Sequence, residues 1–538
     1  MEGWAHHLVI APIALPLVAG ALLAIYDERR QFLKGVINLV STLTALYISI
    51  VLVQQADTSA TTVYLLGNWP APFGIVLVLD RLSAMMVLLT SVLACASLVF
   101  ALARWHTAGA HFHTLFQFLL MGVNGAFLTG DLFNLFVFFE VMLASSYGLL
   151  LHSSGPRRVQ ASLHYIVVNL TASFFFLVGV SLIYGVTGTL NMADLALRIP
   201  ALPAENRMLL EAAAAILGMA FLVKAAMWPL GFWLLSAYPA AVAPVAAIFA
   251  VLSKVGAYIL LRLSPLLFGA TAGEAAGFGA SLLLVGGMAT VGFGILGILA
   301  SQAMPRIAAF SLLTSSGTVL AAIGYSDPQL TGGALFYLVS STLTIGAFFL
   351  LIELIERGQN PAADLIAITA ETLDPEDEEE GEEAGGAGFS GTPAVLGACF
   401  VACTLLLIGL PPLSGFVAKL AMLAALFGPA EHGGVAGVPV AGWVFVALLL
   451  LSGFAALLTL SRIGIRTFWA PVDSVVPRVL VVEIAPVIFL LLLTLVLSVK
   501  GGPVMQYMED AAHALYAPSS YVDSVFGAQR APTSGTGR

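Results

Sequence analysis

The chain has 538 residues, of which 59% are hydrophobic and only 9% charged, with a formal net charge of −9. An ordinary soluble domain carries about 25% charged residues, so that class is excluded. The acid excess sits largely in one short stretch and says little about partners, and the three cysteines, Cys95, Cys399 and Cys403, suggest neither a disulfide framework nor a zinc site.

From the N-terminus, the stretch MEGWAHH has no Lys or Arg ahead of the first apolar run. It lacks the basic region of a secretory signal, so 8–26 reads as a retained helix. Apolar runs of spanning length, roughly 20 residues, then recur at 33–54, 81–103, 112–130, 132–152, 162–186, 208–228 and 242–263. They continue at 277–300, 307–325, 331–356, 393–427, 441–467 and 479–499. The pattern predicts an all-α polytopic membrane protein of about 14 transmembrane helices. Basic residues alternate between connections: Arg29, Arg30, Lys34, Arg104, Arg157, Arg158, Arg306, Arg357, Arg462, Arg466 and Arg478 share one side. The other side has only Arg198, Arg207 and Arg262 in loops, with Arg81 at a helix start, which places both termini outside the cytoplasm.

Two stretches are too long and too broken for simple spans. Residues 208–241 are interrupted at Trp228-Pro229-Leu230-Gly231, and 393–427 at Gly409-Leu410-Pro411-Pro412-Leu413-Ser414-Gly415. Unbroken, each would reach roughly 50 Å, against a hydrocarbon thickness of about 30 Å. Proline removes a donor and clashes with the preceding turn, so the helices should break at Pro229 and at Pro411-Pro412. These are the seventh and twelfth spans, five apart. Matching breaks indicate an internal repeat with its site at the breaks, and an odd offset requires the copies, 112–263 and 277–467, to be inverted. The remaining divisions are N-terminal helices within 1–111, a last helix at 479–499 and a tail over 500–538. The tail should be loose from about residue 525 onward.

Four charges interrupt the apolar runs: Glu140, Lys224, Lys254 and Lys419. An ionised group at membrane depth costs several kcal/mol unless it meets a partner or water, and it marks a functional pathway by default. Desolvation disfavours a buried ammonium and a nearby carboxylate favours it. A lysine whose neighbour changes charge can therefore take up and release a proton. Glu140 is the expected modulator and Lys224 its partner, with the proton passing to Lys254 and then Lys419. The blander readings are a static Glu140–Lys224 bridge, and a Lys419 that caps carbonyls freed at its break. Asp131 reads as interfacial, and Asp80-Arg81 as a local ion pair.

His164 is a candidate for moving protons between cytoplasmic water and Glu140, set against an ordinary interfacial histidine. His111 and His113 lie two apart and would face different directions on a helix, and His6, His7, His106, His152, His432 and His513 read as loop or interface residues. No spacing matches a metal motif, nucleophile elbow or phosphate loop. Gly286, Gly287, Gly292, Gly294 and Gly297 make a smooth packing surface. The hydroxyls of Ser311, Thr314, Ser315, Ser316 and Thr318 either line a hydrated route or bond helix to helix. Residues 371–390 are acidic and glycine-rich, the composition of a disordered cytoplasmic loop.

The stretches FLTGDLFNLFVFFEVMLASSYGL (127–149), LHYIVVNLTAS, FLVKAAMWPLGFWL, LSKVGAYILLRL and GLPPLSGFVAKLAML (409–423) resemble the D subunits of Mrp-type multisubunit monovalent cation/proton antiporters, also called Pha or Mnh systems. The resemblance covers nearly the whole chain. It implies fourteen spans with two inverted five-helix repeats, helices broken at spans seven and twelve, and a charged axis mapping onto Glu140, Lys224, Lys254 and Lys419. It further implies a secondary transporter component without cofactor or redox chemistry of its own, exchanging sodium or potassium for protons in the bacterial cytoplasmic membrane. Its partners would be the A/B, C, E, F and G type subunits. Proton-pumping subunits of complex I-like oxidoreductases and membrane hydrogenases are the alternative. Many relatives carry a histidine or lysine in the eleventh span. Here only Ser340, Ser341, Thr342 and Thr344 are present, so a route between Lys254 and Lys419 would have to use hydroxyls and water.

Overall fold

Backbone polar groups in hydrocarbon must be satisfied within their own segment, so each apolar run is expected to close on itself as helix. The computed structural model describes residues 7–58, 61–153, 155–359, 392–428, 438–468 and 479–528. Helix occupies every apolar segment predicted from the sequence. In order, these are α1 Ala11–Ile25, α2 Gln31–Thr58, α3 Arg81–Ala103, α4 Phe112–Leu128, α5 Leu132–Leu151 and α6 Pro156–Thr187. The short α7 Met192–Arg198 precedes α8 Ala204–Lys224, α9 Phe232–Ala237, α10 Ala243–Phe268, α11 Ala280–Ala300, α12 Met304–Tyr325 and α13 Pro328–Gln359. The last are α14 Thr392–Ile408, α15 Ser414–Phe427, α16 Val440–Phe468, α17 Val481–Val499, α18 Gly501–Tyr516 and α19 Pro518–Phe526. Among the described residues, 11 helices are long and apolar enough to cross a membrane, and α1, α4, α14 and α15 are shorter apolar helices.

The two long predicted segments are divided as proline chemistry requires, α8 from α9 and α14 from α15. Both breaks contain a cis X-Pro bond, Trp228-Pro229 and Pro411-Pro412. Helices α10, α12 and α13 are buried almost all round and form the centre, the signature of helices apolar on every face. The predicted glycine face of α11 lies on α12. A methyl on Gly287 would stand 2.8 Å from the Ala321 Cα and the Gly317 carbonyl oxygen, so the two backbones are in contact. That contact fixes the face of α12 that carries its hydroxyls.

The structure differs from the sequence reading in several places. A small antiparallel ribbon, β1 Thr62–Leu65 and β2 Val76–Leu79, pairs Thr62 with Leu79. It had no expectation, because four-residue strands give too little alternation to see. Lys34, Arg262 and Arg357, placed in connections from the sequence, lie instead within α2, α10 and α13, with Lys34 and Arg262 buried and Arg357 half-buried. Lys34 binds Glu28 at 2.5 Å, and Arg357 binds Glu353 and Glu483, each at 2.6 Å. Asp80 pairs with Arg262 in a two-pronged bridge rather than with Arg81, which reaches Asp57 at 3.3 Å. A buried charge persists where a distant carboxylate meets it, and spacing along the chain does not reveal that partner. His113 and His152 are likewise buried, bonded to Asn38 at 2.9 Å and to the Trp105 carbonyl at 2.7 Å. The C-terminal region is helical as far as Phe526, with Tyr507 donating to the Arg81 carbonyl at 2.9 Å. The acidic stretch 371–390, together with His6, His432 and Arg478, lies outside the described residues.

Candidate functional site

Each helix break frees backbone groups that hydrocarbon would not tolerate. At the first, the Trp228 N–H donates to Thr290 Oγ1 of α11 at 2.8 Å, and the Val223 carbonyl accepts the Trp233 indole N–H at 3.0 Å. Lys224, the last residue of α8, is wholly buried at this point. Its Nζ lies 3.5 Å from Tyr165 Oη and 3.5 Å from Asn169 Oδ1. The rings of Phe139, Tyr165 and Trp233 surround it at 5.7, 5.7 and 5.9 Å from ring centre to nitrogen. Such a cage holds an ammonium by cation–π attraction and two weak dipoles, without a counter-charge in contact.

Glu140 of α5 is half-buried and accepts a hydrogen bond from Ser173 of α6. The static bridge weighed from the sequence is not formed: no ion pair within 4.0 Å joins Glu140 to Lys224 among the described residues. The carboxylate is nonetheless near enough to interact electrostatically with Lys224. The two groups are coupled but not locked.

Lys254 sits in the middle of α10, fully buried. Its Nζ donates to Ser315 Oγ at 2.8 Å and Ser316 Oγ at 3.1 Å, both on α12. Its helix meets the end of α8 two residues further on, where Gly256 has no side chain. A methyl there would lie 2.6 Å from the Ala225 nitrogen and 2.6 Å from the Phe221 carbonyl oxygen. Glycine at this position sets how closely the helices bearing Lys224 and Lys254 approach.

Beyond Lys254 the hydroxyls continue. Ser315 Oγ is 2.7 Å from Ser341 Oγ on α13, and the adjacent Ser340 Oγ is 2.8 Å from Ser414 Oγ at the start of α15. A cavity of about 20 Å³ lies here, lined by Ser311, Thr314, Ser340, Ser341 and Ser452 among others. That volume suits about one water molecule. Lys419 donates to the Ile408 carbonyl at 3.0 Å and to Ser452 Oγ at 3.4 Å. It therefore caps a carbonyl freed at the second break, as the blander reading held, and also touches the hydroxyl that lines the cavity. Gly409 takes φ of +78°, and Gly453 leaves the space that Nζ fills: a methyl on it would lie 3.3 Å from that nitrogen.

The predicted residues do not all converge. Ser311, Ser315 and Ser340 join the Lys254–Lys419 region, whereas Thr344 bonds back to the Ser340 carbonyl at 2.8 Å within its own helix. His164 is exposed, 3.4 Å from Ser236, and faces an outer cleft rather than Glu140. Four contributors went unnamed as site residues in the sequence: Tyr165, Asn169, Ser173 and Ser452. The signal for the first three was legible, since Ser162, Tyr165, Asn169 and Ser173 recur at spacings of three and four along one face of α6. Asp131 caps α5, accepting the Asn134 N–H at 2.8 Å. Cys399 and Cys403 are buried in α14.

The chain is similar to known proteins over nearly its whole length. The family described as NADH:quinone oxidoreductase/Mrp antiporter, transmembrane, matches residues 129–436. A Rhizobium meliloti protein, the D subunit of a probable K+/H+ antiporter, is 57% identical over 536 residues, 99% of either chain. The D subunit of the Na+/H+ antiporter from Alkalihalophilus pseudofirmus is 34% identical over 530 residues, 97% of this chain and 99% of its own. Among solved structures, a chain of the Mrp complex from Dietzia sp. matches with a TM-score of 0.82 at 28% identity, covering 97% of this chain and 100% of that one.

Proposed function

Because this chain belongs to the NADH:quinone oxidoreductase/Mrp antiporter family, we propose that it is the proton-carrying D-type subunit of a multisubunit monovalent cation/proton antiporter. In this reading Glu140, Lys224, Lys254 and Lys419 are the proton-transfer groups. Protonation of Glu140 removes the negative charge that steadies the Lys224 ammonium, so the two change state together. Gly256 keeps Lys224 beside the helix of Lys254. Ser315, Ser341 and the neighbouring cavity carry the proton onward to Ser452 and Lys419. Protons reach Lys224 along the buried face of α6, through Ser162, Tyr165 and Asn169, rather than by way of His164. The free energy drawn on is about 2.3 kcal/mol per charge per 100 mV of membrane potential.

The observation that carries this reading is the run of hydroxyls from Lys254 to the broken helix holding Lys419, in a span that has no histidine or lysine. The segments 112–263 and 277–467 then act as inverted halves, each with a lysine beside its broken helix. The basic connections face the cytoplasm of a bacterial cell, both termini lie on the opposite side, and other antiporter subunits complete the complex.

The test is exchange in everted vesicles from an antiporter-deficient host that expresses the whole complex with Glu140→Ala or Lys224→Ala. Cation-dependent proton flux should vanish in both while the complex still assembles. Unchanged flux in either variant would remove that residue from the relay. Running the assay with Na+, K+ and Li+ identifies the coupled ion.

A further inference from the structure

On the face where α6 and α12 begin, an open cleft of about 1170 Å³ runs between the start of α6, helix α9 and Arg306. A second hollow of about 680 Å³ continues it past Ser236 and Arg306 to the turn between α11 and α12. Together they exceed the roughly 300–1,000 Å³ of an ordinary small-ligand pocket. Among the described residues their lining includes Arg157, Arg158, Arg306 and His164 and no carboxylate. Arg158 is committed to the wall, donating to the carbonyls of His152, Ser153 and Ala240. Arg157 and Arg306 stand exposed on opposite rims, and among the described residues neither has a carboxylate within 4.0 Å.

From the cleft the exposed surface turns abruptly apolar. Leu163 and Val167 on α6, Phe232 at the start of α9, and Leu296 and Leu299 on α11 are all exposed. A purely ionic ligand has no use for that surface. An amphiphile does.

We propose that this cleft binds the headgroup of an acidic glycerophospholipid, its phosphate between Arg157 and Arg306 and its acyl chains over Phe232 and Leu296. Basic pockets between membrane helices at headgroup level suit such lipids, because the phosphate is drawn to fixed cations while the chains stay in hydrocarbon. The helix starts of α6 and α12, neither capped by a side chain, add their free N–H groups to the same field. The floor of the site is α9, the fragment that follows the break at Pro229. A bound headgroup would thus brace the segment next to Lys224, although the site stands independently of the proton-relay reading.

The experiment uses the assembled complex, purified and delipidated in detergent, then offered phosphatidylglycerol, cardiolipin or phosphatidylcholine and weighed by native mass spectrometry. The intact complex should retain the acidic lipids and not the neutral one. The double variant Arg157→Gln/Arg306→Gln should retain them about 30-fold more weakly, as the loss of two surface charges predicts. Arg157→Lys/Arg306→Lys should restore retention. Equal retention by the glutamine double variant would overturn the proposal. So would a disulfide or crosslink from Arg306→Cys to another subunit, or acidic lipid that binds only after residues 371–383 are deleted, since protein would then fill the cleft.

Discussion

Removing the Ser315 hydroxyl should slow cation/proton exchange by about 10- to 150-fold without unfolding the protein. Ser315 Oγ accepts from Lys254 at 2.8 Å and lies 2.7 Å from Ser341 Oγ, so it is the direct connection between the lysine and α13. A hydrogen bond to a charged group contributes about 1.5–3 kcal/mol, and each 1.36 kcal/mol added to a barrier is about tenfold in rate. Ser316 at 3.1 Å still satisfies Lys254, so the folded protein keeps a partner for its ammonium and stability should change little. A water entering the vacated space is the one route to rescue, and a water needs about 2–4 polar partners. Ser315→Ala/Ser341→Ala removes two of them and should approach complete loss, whereas Ser315→Thr should exchange near normally. The assay is dye-reported proton movement on cation addition in everted vesicles, normalised to assembled complex. Wild-type exchange by the double alanine variant would refute a hydroxyl route.

Gly256→Ala forces a methyl to within 2.6 Å of the α8 backbone. It should cost about 1–3 kcal/mol of stability and depress exchange more than thermal stability, read by melting and flux on one preparation. Ser316→Asp places a carboxylate beside Lys254 and should leave a folded complex with negligible exchange, because the pair fixes the proton; normal flux would contradict a mobile proton on Lys254. Arg357→Ala leaves Glu353 with the Trp105 indole N–H at 2.7 Å and Glu483 with Arg104 at 3.5 Å, so it should cost about 1–3 kcal/mol, seen as reduced assembly, with Glu353→Gln expected to be milder. Burial alone would raise the Asp80 carboxyl, but Arg262 outweighs it and holds it below its usual value. Its contribution is therefore complete above the ordinary carboxylate range and lost as pH falls beneath it, so acid should narrow the stability gap between wild type and Asp80→Asn.

Much of the architecture was legible because membrane helices announce themselves by uninterrupted apolar length, and because Pro229 and Pro411-Pro412 sit inside such lengths. The four charges of the proposed relay were legible as interruptions for the same reason: Glu140, Lys224, Lys254 and Lys419 stand out against hydrocarbon. Partners were not. Nothing near Asp80 in the sequence points to Arg262, and nothing near Arg357 points to Glu483, since those pairs are made by helices far apart along the chain. For His164 the sequence left two readings open, because helical spacing gives a face only relative to neighbours; the structure turns that face outward to an open cleft. The stripe of Ser162, Tyr165, Asn169 and Ser173 on α6 was readable but was overshadowed by the charges.

What separates the three lysines of the proposed relay from the rest of the buried charge is the chemistry of their partners. Lys34, Arg262 and Arg357 each touch a carboxylate. Losing a proton or a partner there would leave an unpaired ion in a low-dielectric surrounding, so those charges are fixed and serve cohesion. Lys224 instead meets aromatic faces, a phenol and an amide; Lys254 meets two hydroxyls; Lys419 meets a carbonyl and a hydroxyl. All of these are neutral, and most can rotate or reverse their role as donor and acceptor. A lysine in such company can exist with or without its proton and leave no orphaned anion behind. Conduction requires that freedom, and a helix brace does not.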